Sequence, residues 1–190
     1  MASEDRPPLS VQIFGVSQLD IVKGELLSVY EQVYSKELAD PFFSTSRYWD
    51  RVCGYASRPG FSIAVGRIDE NMAGYALGYT LPTDSRWWSG LVTPVDDALL
   101  REDGKRTFAL NEIMVLPEFR RRGYARAIHD ALLRPRAEER ATLLVLPDNV
   151  PAQAAYASWG WRRIGALKPF DDSPTYDSML LLLRHQGRKS

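Results

Sequence analysis

Cys53 is the single cysteine among the 190 residues, so the chain cannot close an internal disulfide. The only histidines, His129 and His185, give no metal-ligand spacing, and no metal is expected. A reducing cytoplasm is the expected compartment. Neither sign of charge is in excess, 24 basic against 24 acidic side chains, which excludes a global field drawing the protein onto nucleic acid or an anionic membrane. Any preference for anions must therefore be local. The longest aliphatic run, Met179 to Leu183, is far too short to cross a bilayer. The opening MASEDRPP is charged and proline-rich, unlike a secretory signal, and residues 1–8 are expected to form a flexible segment. There is no internal repeat, no glycine-spaced loop ending in Gly-Lys-Ser/Thr and no triple-glycine dinucleotide fingerprint. Nucleotide hydrolysis and hydride transfer recede.

What is present is an alternation of strands and helices on a chain whose 45% apolar content suits one hydrophobic core, so a single domain is expected. Val11 to Val16 reads as a strand. Ser17-x-x-Asp20 resembles a capping box, and Leu19, Val22, Leu26, Val29, Tyr30 and Val33 mark one face of a helix running to about Leu38. A second helix starts at Ser44 or Thr45, turns Trp49, Val52 and Cys53 inward, and stops before Pro59-Gly60. Phe61, Ile63 and Val65 alternate as in a half-buried strand, which returns through Asp69-Glu70-Asn71 into Ala73 to Leu81 as a hairpin. Pro82 to Gly104 reads as an excursion, Thr107 to Leu116 as a strand, and Ala125, Ile128, Ala131 and Leu132 as the buried side of a helix. Leu143 to Leu146 follows as an apolar strand. Pro151 opens another helix that Gly160 ends, and Trp161 to Leu167 and Asp177 to Leu183 close the chain as strands. The unit from 107 to 146 predicts parallel strands joined by a right-handed crossover.

Arg120, Arg121, Arg122 and Gly123 stand between a strand and a helix, where free backbone N–H groups meet the positive end of a helix dipole. Gly123 permits positive φ and close approach of a ligand, and small Ala125 keeps bulk from the helix start. Both features favour a pyrophosphate. By itself the pattern is also that of a solvated turn, and its surroundings decide.

Those surroundings run Glu112-Ile113-Met114-Val115-Leu116-Pro117-Glu118-Phe119-Arg120-Arg121-Arg122-Gly123-Tyr124-Ala125, then Asp148-Asn149-Val150-Pro151-Ala152, Tyr156 and Gly160-Trp161. The two blocks resemble the coenzyme A motifs of the GCN5-related N-acetyltransferases, the GNAT superfamily. The likeness covers about residues 61 to 183, and residues 1 to 60 match in element order alone. Ala125 stands where many members have glycine. The resemblance implies an α/β fold with a single mixed β-sheet flanked by helices, whose two parallel central strands splay apart to hold acetyl-CoA. It implies that Ile113, Met114 and Val115 pair with the pantetheine arm as an added strand would. Backbone amides from Arg121, Arg122, Gly123, Tyr124 and Ala125 to Arg126 would hold the pyrophosphate, with Arg120 and its neighbours adding charge. Asn149 and Ala152 are expected beside the pantetheine, although Asn149 before a helix is equally a capping residue.

For chemistry, the resemblance makes Glu112 the general base and Tyr156 the acid or hydrogen-bond donor to the departing thiolate. Glu112 can equally be an edge carboxylate paired with an arginine, and Tyr156 can be packing beside Trp159. His129 is expected to be a solvated histidine and Cys53 a small buried hydrophobe. The implied activity is acetyl transfer to a primary amine of a small molecule or peptide by direct attack in a ternary complex, in a bacterial, cytoplasmic protein. Neither nucleic acid nor a membrane is an expected partner, and a homodimer stays open. A second reading is a CoA-binding regulatory or antitoxin-like module with little activity. A third, a nucleic-acid binder using Arg120 to Arg122, demands a broader basic face than this neutral chain offers.

Overall fold

The computed structural model describes residues 7–183. Seven strands form one mixed sheet: β1 (Ser10–Phe14), β2 (Ser62–Ile68), β3 (Asn71–Thr80), β4 (Thr107–Val115), β5 (Arg140–Val145), β6 (Arg162–Leu167) and β7 (Tyr176–Leu182), in the order β1-β2-β3-β4-β5-β7-β6. Five helices accompany them: α1 (Leu19–Val33), α2 (Thr45–Ala56), the short α3 (Asp97–Leu100), α4 (Tyr124–Leu133) and α5 (Val150–Ser158). β1 and β2, β2 and β3, β5 and β7, and β6 and β7 run antiparallel, while β4 and β5 are parallel as expected. Among the described residues no helix is long and apolar enough to cross a membrane.

The fold divides into two compact units. Among the described residues the first comprises 7–57, Phe61–Gly78 and Glu112–Pro135. Here α1 buries Leu19, Val22, Leu26, Val29 and Tyr30, the face its spacing announces. It ends at Val33 rather than Leu38, because the chain past Tyr34 loosens into separate turns closed on the Tyr34 and Glu37 carbonyls. The reciprocal bonds at its approach join Gly15 and Gln18, at 3.2 and 3.1 Å, instead of Ser17 and Asp20. β2 is buried over Ile63, Ala64, Val65 and Gly66, so it is covered on both faces where alternation suggested one. In α2 the inward residues are Tyr48 and Val52, and Cys53 is exposed. The buried stripe is set one position earlier, a rotation of about 100°. Trp49 instead lies under the Lys23 ammonium, 4.6 Å from its ring centre.

Gly74 on β3 is glycine for lack of room: a Cβ there would meet the Met114 carbonyl oxygen at 2.3 Å. Nearby, the Leu116 N–H donates to the Ala73 carbonyl at 2.9 Å. Pro7 is held by the Tyr124 hydroxyl at 2.8 Å, and Leu9 packs with Ile68, Ala73, Tyr124 and Phe119. The rest of the segment expected to be flexible, residues 1–6, lies outside the described residues, as does His185.

Among the described residues the second unit comprises Arg58–Gly60, Tyr79–Asn111 and 136–183. Its core gathers Leu81, Trp88, Ala109 and Leu167. The expected excursion over 82–104 is anchored at its middle and near its end. Val92 donates to Ala166 and Lys168 to Gly90, each at 2.8 Å, along β6. Buried Glu102 accepts from Trp88 Nε1, Thr107 Oγ1 and Arg140 Nη2 at 2.9, 2.9 and 3.0 Å. These donors and the Arg140 charge compensate Oε1, while Oε2 is buried without a hydrogen-bond partner among the described residues.

Candidate active site

The turn before α4 is shaped for an anion by its backbone. Arg121 has φ +58° and Gly123 φ +78°, two left-handed residues within three positions, a pattern that tilts successive N–H groups toward one concavity. Gly123 is also the N-cap of α4 and offers no capping side chain. The first-turn amides of Tyr124, Ala125 and Arg126 lie at the positive end of the helix dipole. The Gly123 carbonyl already accepts from Ala127 at 3.1 Å, which locks the turn onto the helix.

The side chains divide the work differently from the sequence expectation. Arg120 Nε folds back to the Val115 carbonyl at 3.1 Å, bracing the turn against the end of β4. Arg126 Nε grips both carboxylate oxygens of Asp130 at 2.9 and 2.8 Å, one helical turn on. Arg121 and Arg122 are exposed at the turn. Tyr124 is buried, so it can serve an anion through its amide alone. His129, expected to be solvated, is 2% exposed and its Nδ1 lies 2.8 Å from Asp130 Oδ1. Burial holds its pKa below the usual value against the pull of Asp130. For Asp130, burial works upward, but hydrogen bonds from Arg126 and His129 outweigh it and keep the carboxyl low. The sequence misses this because α4 buries the face carrying Ile128, His129 and Leu132, and histidine is tolerated inside once a neighbour satisfies its ring.

Among the described residues the β4–β5 ladder consists of Thr107↔Arg140, Phe108↔Ala141 and Ala109↔Thr142, and it includes none of Ile113, Met114 and Val115. Asn111, Glu112 and Ile113 form the partly exposed stretch of β4, whereas Met114 and Val115 are buried. Asn111 Oδ1 is a buried acceptor without a partner among the described residues.

Glu112 has the most informative electrostatics in the first unit. The residue keeps some exposure, yet its carboxyl is removed from water enough that burial raises its pKa to about 7, against the lowering effect of the Arg51 guanidinium. Its surroundings are aromatic. Tyr30 and Tyr48 stack at 3.8 Å, Tyr30 and Tyr34 lie 4.8 Å apart, and Tyr34 and Phe43 5.3 Å. Tyr48 and Tyr75 share a buried hydroxyl pair at 2.5 Å, and Tyr75 donates to Met114 Sδ at 3.3 Å. Burial first, and then neighbouring charge including that of Glu112, pushes both phenols well above their usual pKa, so they remain protonated. Arg51 was not among the sequence candidates. Burial alone would lower its pKa, but the Glu112 charge, with smaller contributions from Tyr55 and Tyr30, outweighs burial and raises it. Its spacing from Arg47, four residues along α2, was the available signal.

In the second unit, Tyr156 is 8% exposed on α5, with Trp159 and Trp161 set edge-on at 5.6 and 6.1 Å. Asn149 caps the same helix, its Oδ1 accepting from the Ala152 N–H at 3.3 Å. Gln153 ties the start of the helix to the carbonyls of Leu146 and Pro147 at 3.2 and 2.9 Å. The amide oxygen of Asn149 and the N–H of Ala152 thus meet each other, the capping alternative the sequence had left standing.

A separate cavity of about 440 Å³ in the first unit is lined by Glu25, Gln32, Asn71, Glu118 and Phe119 among others. Its carboxylates would repel a diphosphate. Among the described residues no group of acidic, histidine and cysteine side chains could hold a metal ion.

The family model described as acetyltransferase (GNAT) family matches residues 26–161. No curated protein matches the chain. Solved structures share the fold at low identity. The protein PH1933 from Pyrococcus horikoshii is 16% identical with a TM-score of 0.64, covering 93% of this chain and 100% of that one. The ribosomal-protein-S18-alanine N-acetyltransferase from Escherichia coli is 17% identical with a TM-score of 0.58, covering 96% and 99%. A PaiA N-acetyltransferase from Thermoplasma acidophilum, solved in complex with coenzyme A, is 8% identical with a TM-score of 0.55, covering 92% and 99%.

Proposed function

Because the chain belongs to the GNAT acetyltransferase family, we propose that it transfers an acetyl group from acetyl-CoA to a primary amine, with the diphosphate on the turn before α4 and Glu112 as general base. The observation that carries this reading is the pair of left-handed residues, Arg121 and Gly123, at the N-terminus of α4, where the N-cap is a glycine. They form a cradle in which backbone N–H groups can meet phosphate oxygens. Arg121 and Arg122 add positive charge at the rim, while Arg120 and Arg126 hold the turn and helix in shape. Ile113, Met114 and Val115, outside the β4–β5 ladder, offer main-chain groups for the amides of the pantetheine arm.

When bound, acetyl-CoA supplies an activated acetyl thioester. Glu112, with a pKa of about 7, is largely divided between its two forms at neutral pH, which suits a group that must accept a proton from the acceptor's ammonium. Tyr156 supplies a phenolic proton or hydrogen bond to the leaving thiolate. Most of the rate gain comes from orienting the two reactants.

Thiol release from acetyl-CoA, followed with and without added amines, tests the reading. Tyr156→Phe keeps the ring against Trp159 and Trp161, so kcat is expected to fall by about tenfold to a thousandfold while the KM for acetyl-CoA and the melting temperature stay close to wild type. Full activity in that variant would reduce Tyr156 to packing. Absence of amine-dependent thiol release would favour a CoA-binding module instead.

A further inference from the structure

Two guanidiniums converge on one aromatic ring in the first unit. Arg47 and Arg51 stand four residues apart on α2, where like charges disfavour each other. Their Cζ atoms nevertheless lie 4.8 and 5.3 Å from the centre of the Phe42 ring. Both side chains are only partly buried. Arg51 Nη1 donates to the Phe42 carbonyl at 3.1 Å, and its Cζ sits 5.8 Å from the Tyr48 ring, so the guanidinium lies against two aromatic rings. Tyr48 leads through its hydroxyl to Tyr75 and on to Met114 Sδ. Met114 and Glu112 are two residues apart on β4 and so share a face of the strand. The arginine pair and the base therefore belong to one neighbourhood, and Glu112 is the carboxylate whose charge acts on Arg51.

A cation beside a general base works against a simple amine. An ammonium group approaching Glu112 also approaches Arg51 and is repelled. An acceptor that brings its own anion removes this conflict, because its anion meets the guanidinium while its ammonium meets the carboxylate. We propose that the acceptor is an amine that also bears a nearby carboxylate, an amino acid or related zwitterion, with Arg51 and Arg47 holding the carboxylate and Glu112 facing the amine. The planar fork of arginine matches a carboxylate, and stacking on Phe42 and Tyr48 presets it. The inference rests on the acetyl-transfer reading and narrows its substrate class.

Matched pairs test it: phenylalanine against 2-phenylethylamine, leucine against 3-methylbutylamine, and glutamate against 4-aminobutyrate, each assayed for acetylation and, by calorimetry, for binding to the CoA-loaded protein. Wild type should favour the amine with the adjacent carboxylate by about tenfold to a hundredfold in kcat/KM for at least one pair, the scale of a charge-assisted hydrogen bond. Arg51→Met should bring that ratio toward one, chiefly through KM, and Arg51→Lys should retain part of it. Because loss of Arg51 also alters the Glu112 charge, the ratio is the useful readout, since that effect is common to both amines. Melting temperature and CoA affinity of the variants report whether they fold. Equal or better use of the amines lacking the adjacent carboxylate by wild type, or a ratio unchanged in folded Arg51→Met, overturns the proposal while acetyl transfer stands. Arg51-dependent binding of the amino acids without turnover supports the anion subsite and sinks acetyl transfer. No binding and no turnover of any amino acid overturns the proposal.

Discussion

At the scale of single residues, Glu112 is governed by two opposed neighbours: burial that raises its pKa to about 7 and Arg51 that lowers it. As a base it must be ionised, so kcat should fall as pH drops below about 7. Glu112→Gln should lower kcat by about a hundredfold to ten-thousandfold and remove that inflection. The sign for stability is the reverse. A carboxyl whose folded pKa lies above its unfolded value favours folding in its protonated form, and that advantage is lost as pH rises from about 4.5 toward 7. Glu112→Gln should therefore become more stable than wild type across that window, by an amount on the order of 1 to 3 kcal/mol above neutral pH once partial exposure is allowed for. Thermal melts at several pH values beside the kinetics check both; an identical pH dependence in the two proteins would place the base elsewhere. Residue identity alone also misled. Cys53 has the composition of a core residue but sits one position past the Val52 stripe and is exposed, whereas His129 has that of a surface residue and is buried with Asp130 as partner. Burial depends on the phase of the helix and on a neighbour's charge, and a single sequence states neither directly.

At the scale of elements, strands and helices with a strong period were legible, including the parallel pairing of β4 and β5 and the burial of one face of α1. Ends were less so. Whether a helix stops at Val33 or Leu38 is decided by single turn bonds around Tyr34, which leave no mark on hydrophobic spacing. The same limit applied to β2, where alternation shows which residues can be buried but not that the second face is also covered. α5 offers a test of an element's start. Asn149→Ala removes the bond to the Ala152 N–H and should cost about 0.5 to 2 kcal/mol, with Asn149→Asp retaining most of the stability. Since the cap engages the amide oxygen, acetyl-CoA affinity should change by less than about twofold in the folded variants, as calorimetry can check. A large loss of affinity at unchanged stability would make Asn149 a pantetheine ligand first.

At the scale of the whole molecule, balanced charge leaves no long-range attraction for a polyanion, so the proposed cradle before α4 would have to act locally. The local cluster was legible in the sequence, because Arg120 to Arg122 beside Gly123 stand out against a neutral background. The partners of the individual arginines were not, since Arg120 and Arg126 turn to the Val115 carbonyl and to Asp130. The central claim is that the backbone of this turn binds the diphosphate of acetyl-CoA, and titration calorimetry of wild type and Gly123→Asp tests it most directly. Gly123 has φ +78°, and aspartate there adds a Cβ, strain of about 1 to 2 kcal/mol and a negative charge at the mouth of the cradle. Wild type should bind acetyl-CoA with one site per chain, and at a ligand concentration of about 100 Kd it should gain about 2.7 kcal/mol in stability. Gly123→Asp, still folded by its melting curve, should show no binding heat and no stabilisation. Binding by the variant at wild-type affinity, or no binding by wild type, would contradict the account.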